Sequence, residues 1–114
     1  MELKIGLRQA NADVTVMELV GEIHIYNSAK VRDTFIDLMD RGRYKLLINL
    51  EKLRSIDSSG LGVFMGAMKR AREHDGALNF IGLNPHVNSI FHITGLDRIF
   101  ATFGDEASAL EGFG

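Results

Sequence analysis

The feature of this sequence that most constrains the fold is a short apolar run at residues 46–50, Leu-Leu-Ile-Asn-Leu, with a helix-like segment on either side. The segment before it, over about residues 28–41, has apolar residues at helical spacing and is capped by Asn27 or Ser28. The segment after it, over about residues 59–74, is amphipathic in the same way. Its predicted inner stripe is Leu61, Phe64, Met65 and Met68. A buried strand between two helices is typical of a sheet that is covered on both faces.

The remaining segments complete an alternation of strands and helices. Strand-like alternation or β-rich composition marks residues 3–8, 14–20, 77–81 and 99–100. Asn84 begins a third helix, as an N-cap followed by Pro85 at the first helical position, and Asp105 caps a fourth. The predicted order, β-β-α-β-α-β-α-β-α, gives an α/β fold: a mixed, mostly parallel β-sheet of about five strands with about four α-helices packed on it.

Length, composition and charge exclude several classes of function. The 114 residues suit one compact domain, residues 1–114, and an apolar fraction of 46% is enough for a single core. A net charge of −2 gives no basic surface for nucleic acid or anionic lipid. The chain has no cysteine, its N-terminus does not read as a secretory signal, and no segment has the roughly 18–20 apolar residues that span a bilayer. We therefore expect a cytoplasmic protein with no nucleic-acid or membrane partner.

The side chains best suited to binding or modification lie where the buried strand leads into the second helix. They belong to the motif Asp57-Ser58-Ser59-Gly60-Leu61-Gly62. Ligands and reactive groups of open α/β sheets gather beyond the carboxyl ends of the strands, and helix N-termini leave backbone N–H groups unpaired. One interpretation is purely structural: the aspartate and serines cap the helix, and the glycines allow tight packing. The other is functional, because two hydroxyls and a carboxylate occur where one cap would suffice.

The glycines of this segment also need an explanation. Gly60, Gly62 and Gly66 each weaken a helix by about 1 kcal/mol relative to alanine. Gly62 and Gly66, at positions i and i+4, leave a flat ridge without side chains. Such a ridge suits either close approach by another surface or tight internal packing, and the sequence leaves both interpretations open.

A serine at the N-terminus of a helix suits a reversible switch. Phosphorylation of Ser58 would add about −1.5 to −2 charges at pH 7. The positive N-terminus of the helix tolerates that charge, whereas Asp57 and a partner surface pressed against a neutral hydroxyl do not. We therefore expect the fold to survive the modification while a binding face is lost.

Several blocks of the sequence, in order, resemble the STAS domain of the anti-sigma factor antagonist type, and together they span almost the whole chain. The blocks are Gly21-Glu22-Ile23, Ile48-Asn49-Leu50 with Ile56-Asp57-Ser58-Ser59-Gly60-Leu61-Gly62, Gly76-Ala77-Leu78 with Gly82-Leu83-Asn84-Pro85-His86-Val87, and Thr94-Gly95-Leu96-Asp97-Arg98-Ile99-Phe100. Matched blocks in the right order are far more specific than any one of them.

The resemblance implies a partner-switching regulator rather than an enzyme. In that family, an anti-sigma factor with a GHKL-type serine kinase domain binds the protein and phosphorylates the first serine after the aspartate, here Ser58. The unmodified form sequesters the anti-sigma factor and frees a sigma factor, and a PP2C-type serine phosphatase restores that form. The ATP belongs to the partner, so no cofactor is expected in this chain.

The same resemblance implies which residues meet the partner: Asp57, Ser58, Ser59, Gly60, Leu61, Gly62, His24 and Asn27. His24 stands where family members commonly carry an aspartate after the Gly-Glu-Leu turn, near the kinase-facing surface. Asn27 and Ser28 replace the usual Thr-Ala. These departures alter the edge that faces the partner.

Other functions have less support from the residues. The four histidines lack close metal-ligand spacing, and no cysteine assists them: His24, His74, His86 and His92. A hydrolase that used Ser58 would need a base and an oxyanion hole, and the motif Gly-x-Ser-x-Gly is absent. STAS domains also resemble subunits of larger signalling or lipid-transport complexes, where no phosphorylation is required. That scaffold function is the alternative, and the intact triplet at residues 57–59 favours the switch.

Overall fold

A computed structural model describes residues 2–113 of the chain. Over this range the chain forms six strands: β1 (Lys4–Gln9), β2 (Val14–Ile23), β3 (Lys45–Asn49), β4 (Leu53–Ile56), β5 (Ala77–Ile81) and β6 (Ala101–Phe103). The same range contains four α-helices and one 3-10 helix: α1 (Ser28–Asp40), α2 (Ser58–Glu73), α3 (Pro85–Ile93), α4 (Glu106–Glu111) and the 3-10 helix Leu96–Arg98. None of these helices has the length and apolar character needed to cross a membrane.

The strands form one mixed sheet in the order β1-β2-β3-β5-β6. The hairpin partners β1 and β2 are antiparallel, and every other pairing is parallel. Helices connect the parallel strands, as right-handed crossovers require. The predicted fold class, a mixed and mostly parallel sheet with helices packed on it, is therefore confirmed, with six strands described in place of about five.

The additional strand, β4, lies between the predicted buried strand and the second helix, a segment for which the sequence predicts no strand. The prediction that β2 ends at Val20 is also wrong, because β2 continues through Gly21 to Ile23 and pairs in parallel with β4. Gly21 adopts φ +111°, a conformation that L side chains rarely adopt, and the register shifts between Gly21 and Glu22. This irregularity lets one strand pair with β3 along its first half and with β4 at its end.

The helices α1, α2 and α3 pack their apolar faces on one side of the sheet around a group of phenylalanines. Phe64 of α2 is fully buried, with its ring centre 5.2 Å from that of Phe80 in β5 and 6.2 Å from that of Phe35 in α1. Edge-to-face and tilted ring pairs of this kind add stability beyond the burial of area. The core therefore holds the start of α2 at a defined place above the carboxyl ends of β3 and β4.

Helix α4 covers part of the opposite face of the sheet. A smaller apolar cluster lies there, made of Val14, Val16, Leu47, Ile81 and Ala109. Asn79 is buried in β5, and its Nδ2 donates to the Ala109 carbonyl at 2.9 Å. This bond satisfies a polar group that would otherwise be costly to bury.

Two sequence predictions about individual residues are corrected by the fold. The last strand comprises Ala101–Phe103 rather than residues 99–100, since the 3-10 helix turns the chain first. Met65, predicted to face inward, is 41% exposed. The buried arc of α2 is centred on Phe64, and the next residue along a helix points about 100° away from it. Met65 therefore lies on the outer surface.

Candidate functional site at the start of helix α2

Asp57 is the N-cap of α2 and holds two separate segments together. Its Oδ1 accepts from the backbone N–H groups of Ser59 at 3.0 Å and Gly60 at 3.3 Å. Its Oδ2 accepts from the backbone N–H of Ile25 at 3.0 Å. Ile25 belongs to the connection between β2 and α1, residues 24–27, which we call the β2–α1 loop. One carboxylate thus fixes both the first turn of α2 and the β2–α1 loop.

The two serines of the motif have different environments. Ser58, the first residue of α2, is exposed, and its hydroxyl has no hydrogen-bond partner among residues 2–113. Ser59 is half-buried, and its hydroxyl donates to Oδ1 of Asp57. Of these two serines, therefore, Ser58 has the hydroxyl that is open to solvent and without a hydrogen-bond partner among the described residues.

The hydrogen bonds at Asp57 favour its charged form. The Ser59 hydroxyl has the largest effect and lowers the pKa of the Asp57 carboxyl below its usual value. The backbone N–H groups of Gly60, Ser59 and Ile25 act in the same direction, while desolvation opposes them. Asp57 therefore carries a full negative charge at neutral pH, directly before the exposed serine.

The β2–α1 loop is folded on its own polar groups. Asn27 Oδ1 accepts from the backbone N–H of His24 at 2.8 Å, and Asn27 Nδ2 donates to the Glu22 carbonyl at 2.9 Å. Asn27 holds the N-cap position of α1, as predicted, but its side chain bonds back to the loop and not to the helix. His24 is half-buried, and its Nδ1 accepts from the backbone N–H of Tyr26 at 3.3 Å.

Two apolar side chains that the sequence analysis leaves out project beside this site. Ile25 is 66% exposed and Tyr26 is 93% exposed. Large apolar residues in a loop are more informative when they sit beside a polar site than when they are scattered singly. The signal in the sequence is two large apolar residues between a strand and a helix cap, where polar residues are usual.

The glycine-rich part of the motif divides into inward and outward positions. Gly60 is buried, and a Cβ there would lie 2.6 Å from Ile56 Cγ1 and 2.7 Å from Ile23 Cγ2. Leu61 is buried as well. Gly62 is exposed, and a Cβ there would meet no atom within 4 Å. Of the predicted contact residues, Gly60 and Leu61 are therefore packed in the interior beneath the site. The others lie at or near the protein surface.

The arrangement offers an exposed hydroxyl beside a carboxylate that is already hydrogen-bonded. The carboxylate nearest to Ser58 is committed to Ser59, Gly60 and Ile25 rather than to activating a nucleophile. No three His, Cys, Asp or Glu side chains within residues 2–113 come close enough to hold a metal ion. The chemistry available here is modification of an exposed serine at a helix N-terminus, where a negative group is favoured.

Comparison with known proteins gives a family match over most of the chain. The sequence profile of the STAS domain matches residues 8–109. The anti-sigma-B factor antagonist of Bacillus subtilis (strain 168) is 32% identical over 99 residues, which cover 87% of this chain and 89% of that protein. The similarity therefore extends over nearly the full length of both proteins.

Solved structures share the fold at lower sequence identity. The crystal structure of an anti-sigma factor antagonist from Mycobacterium paratuberculosis aligns with a TM-score of 0.87 and 19% identity, over 98% of this chain and 94% of that one. The Bacillus cell fate determinant SpoIIAA in its phosphorylated form aligns with a TM-score of 0.74 and 22% identity, over 95% and 97%. These structures match the sheet and helices described above.

Proposed function

This chain belongs to the STAS domain family, and we propose that it is an anti-sigma factor antagonist. In this function the unmodified protein binds an anti-sigma factor, which then releases a sigma factor. The curated relative from Bacillus subtilis carries that role in its name, and the similarity covers 87% of this chain. Neighbours of the same fold carry similar names. The proposed location is the cytoplasm, where the partner and its ATP are found.

The proposal further assigns Ser58 as the regulatory phosphorylation site. The kinase is a GHKL-type serine kinase domain of the anti-sigma factor, and a PP2C-type serine phosphatase removes the phosphate. The observation that carries this assignment is the exposed and uncommitted hydroxyl of Ser58 at the first position of α2. SpoIIAA, a neighbour in fold, has been solved in a phosphorylated form.

The proposed switch depends on a difference in free energy: a phosphate on Ser58 is tolerated in the free protein but is costly in the complex with the partner. In the free protein, a phosphate on Ser58 lies in water at the positive end of α2, so the fold tolerates it. In a complex, the same dianion would have to leave water next to the charged Asp57. Burying a charge without a partner costs several kcal/mol, which is enough to dissociate a typical complex.

Each of the surface residues near Ser58 has a proposed part in the contact. Asp57 positions the serine and the β2–α1 loop, and Ser59 holds the Asp57 carboxylate in place. His24 and Asn27 shape the loop, while Ile25 and Tyr26 supply apolar area. An apolar contact beside a hydroxyl suits a binding face in which water is excluded around one switchable group.

The test is a binding and modification experiment on three forms of the protein. Ser58→Ala should bind the anti-sigma factor and retain it in the presence of ATP, and Ser58→Asp should bind weakly. Wild-type protein incubated with the captured kinase and ATP should gain one phosphate, located at Ser58 by mass spectrometry. Ser89→Ala, at an exposed serine of α3, is the matched control and should behave as wild type.

Two results would count against the proposal. Phosphate at a serine other than Ser58 would refute the assignment of the site. Stable membership in a complex without any phosphorylation would instead support the scaffold function, as a subunit of a larger signalling or lipid-transport complex.

A further inference from the structure

The β2–α1 loop provides an acceptor for each of its four backbone N–H groups. The N–H of His24 donates to Asn27 Oδ1 at 2.8 Å, and the N–H of Asn27 donates back to the His24 carbonyl at 3.0 Å. The N–H of Ile25 donates to Asp57 Oδ2 at 3.0 Å. The N–H of Tyr26 donates to Nδ1 of the His24 ring at 3.3 Å. Three of these acceptors are oxygens, which keep their lone pairs near neutral pH, whereas the ring nitrogen accepts only while it carries no proton.

The other ring nitrogen of His24 also faces an N–H donor. His24 Nε2 lies 3.4 Å from Nδ2 of Asn27. The orientation of that amide is fixed, because Asn27 Oδ1 accepts from the His24 backbone N–H and Nδ2 donates to the Glu22 carbonyl. A neutral imidazole has one lone pair and can accept from one of its two neighbouring donors, whereas an imidazolium has an N–H on both nitrogens and accepts from neither. The hydrogen-bonding groups around His24 are therefore complementary to its neutral form.

The charged groups of the elements packed against the loop do not compensate for a proton on this ring. The titratable or charged side chains of these elements are Glu2, Glu22, Tyr26, Lys30, Arg54 and Asp57. Glu2 and Lys30 have opposite charges and line the same opening of about 440 Å³ beside His24. The Asp57 carboxylate is already hydrogen-bonded to the loop and to α2. No carboxylate among residues 2–113 forms an ion pair with the His24 ring.

Protonation of His24 would therefore disturb the loop. It removes the acceptor of the Tyr26 N–H and leaves two N–H groups facing each other. Because His24 is half-buried, the charged ring is fully hydrated only if it turns outward. The ring then no longer holds Tyr26 and Asn27, and the exposed side chain of Tyr26 loses its fixed position. Among the side chains of proteins, histidine is the one that ordinarily changes charge between pH 5 and 8.

We propose that the β2–α1 loop is a pH-sensitive element, ordered while His24 is neutral and loosened when His24 is protonated. The loosening follows from the geometry of the loop, and its effect on binding rests on the proposed function. In that function Ile25 and Tyr26 supply apolar contact area beside Ser58, so a loosened loop must be ordered again when the partner binds. Acidification thus weakens binding of the anti-sigma factor without any phosphate on Ser58.

The first test follows the loop of the free protein. Backbone 15N relaxation should show lower order parameters at Ile25 and Tyr26 at pH 5.5 than at pH 7.5. His24→Asn should give the same order parameters at both pH values, because the asparagine oxygen takes the place of Nδ1 and does not titrate. His86→Asn, at an exposed histidine of α3, is the matched control and should keep the pH dependence of wild type. Equal order parameters at the two pH values in wild type would overturn the inference.

The second test measures binding by calorimetry in the Ser58→Ala background, so that no phosphate contributes. The Kd for the purified anti-sigma factor should rise at least about threefold from pH 7.5 to pH 5.5, and the further change His24→Asn should remove that rise. Asp57 stays charged over this range, because the hydrogen bonds from Ser59 and the backbone lower its pKa. A rise in Kd that His24→Asn leaves unchanged would overturn the effect of His24 on binding. If Ser58→Ala binds no anti-sigma factor at pH 7.5, the proposed function is overturned, and the relaxation data alone then support or overturn the loosening of the loop.

Discussion

The carboxylate of Asp57 accepts a hydrogen bond from the backbone N–H of Ile25 at 3.0 Å, across thirty-two residues of sequence. This bond joins the loop that follows β2 to the first turn of α2. The pairing of β2 with β4 brings the two segments together, since the backbone N–H of Asp57 donates to the Ile23 carbonyl at 3.1 Å. The site is therefore a product of the sheet and not of the motif alone.

Removal of the Asp57 side chain should loosen both segments at once. Asp57→Ala should lower the free energy of unfolding by about 0.5–2 kcal/mol, since the helix loses its cap. It should also speed hydrogen exchange at the Ile25 amide, because that N–H loses its acceptor. Asp105→Ala, which removes the cap of α4, is the control and should leave exchange at Ile25 unchanged. Unaltered protection of Ile25 in Asp57→Ala would contradict the linking role.

Stability should depend on pH through the same carboxylate. The pKa of Asp57 is lower in the folded protein than in the unfolded chain, so its contribution is present above the unfolded pKa of about 3.9 and is lost as the pH falls through the folded value. The difference in unfolding free energy between wild type and Asp57→Asn should therefore be largest near neutral pH and shrink on acidification. Urea denaturation at a series of pH values measures it. A difference that stayed constant down to pH 3 would be inconsistent with a lowered pKa.

Alanine at the three glycines of α2 should have opposite effects on stability. Gly62→Ala and Gly66→Ala should each raise the free energy of unfolding by up to about 1 kcal/mol, because a Cβ meets open space and helix propensity improves. Gly60→Ala should lower it by about 1–3 kcal/mol, because a Cβ there would press on Ile56 and Ile23. Chemical denaturation of the three variants checks this. Three changes of the same sign would show that the glycines do not differ as described.

The two serines of the motif should respond differently to removal of their hydroxyls. Ser58→Ala should change the free energy of unfolding by less than about 0.5 kcal/mol, since that hydroxyl is exposed and unpaired among the described residues. Ser59→Ala should lower it by about 1 kcal/mol, because Asp57 loses a donor. It should also raise the pKa of Asp57, which carbon-detected NMR can follow. Equal effects of the two substitutions would contradict the distinction.

Part of this protein follows from neighbouring residues alone. Asn84 with Pro85, Asp57 and Asp105 cap helices in the structure as their sequence context predicts. The apolar run at residues 46–50 predicts a strand, and the structure has β3 there with the bounds Lys45–Asn49. Caps and periodic patterns act over three or four residues, so local sequence contains what is needed to predict them.

What the sequence determined is therefore the order of the helices and of every strand except β4, the cap at Asp57 and the presence of a serine at the start of α2. Tertiary structure alone decided that Asp57 also holds Ile25, that Gly60 is packed while Gly62 and Gly66 are open, and that Met65 faces outward. The physical reason is that burial and long-range hydrogen bonds depend on which distant segments meet. In this chain that meeting is set by the register of β2 against β3 and then β4.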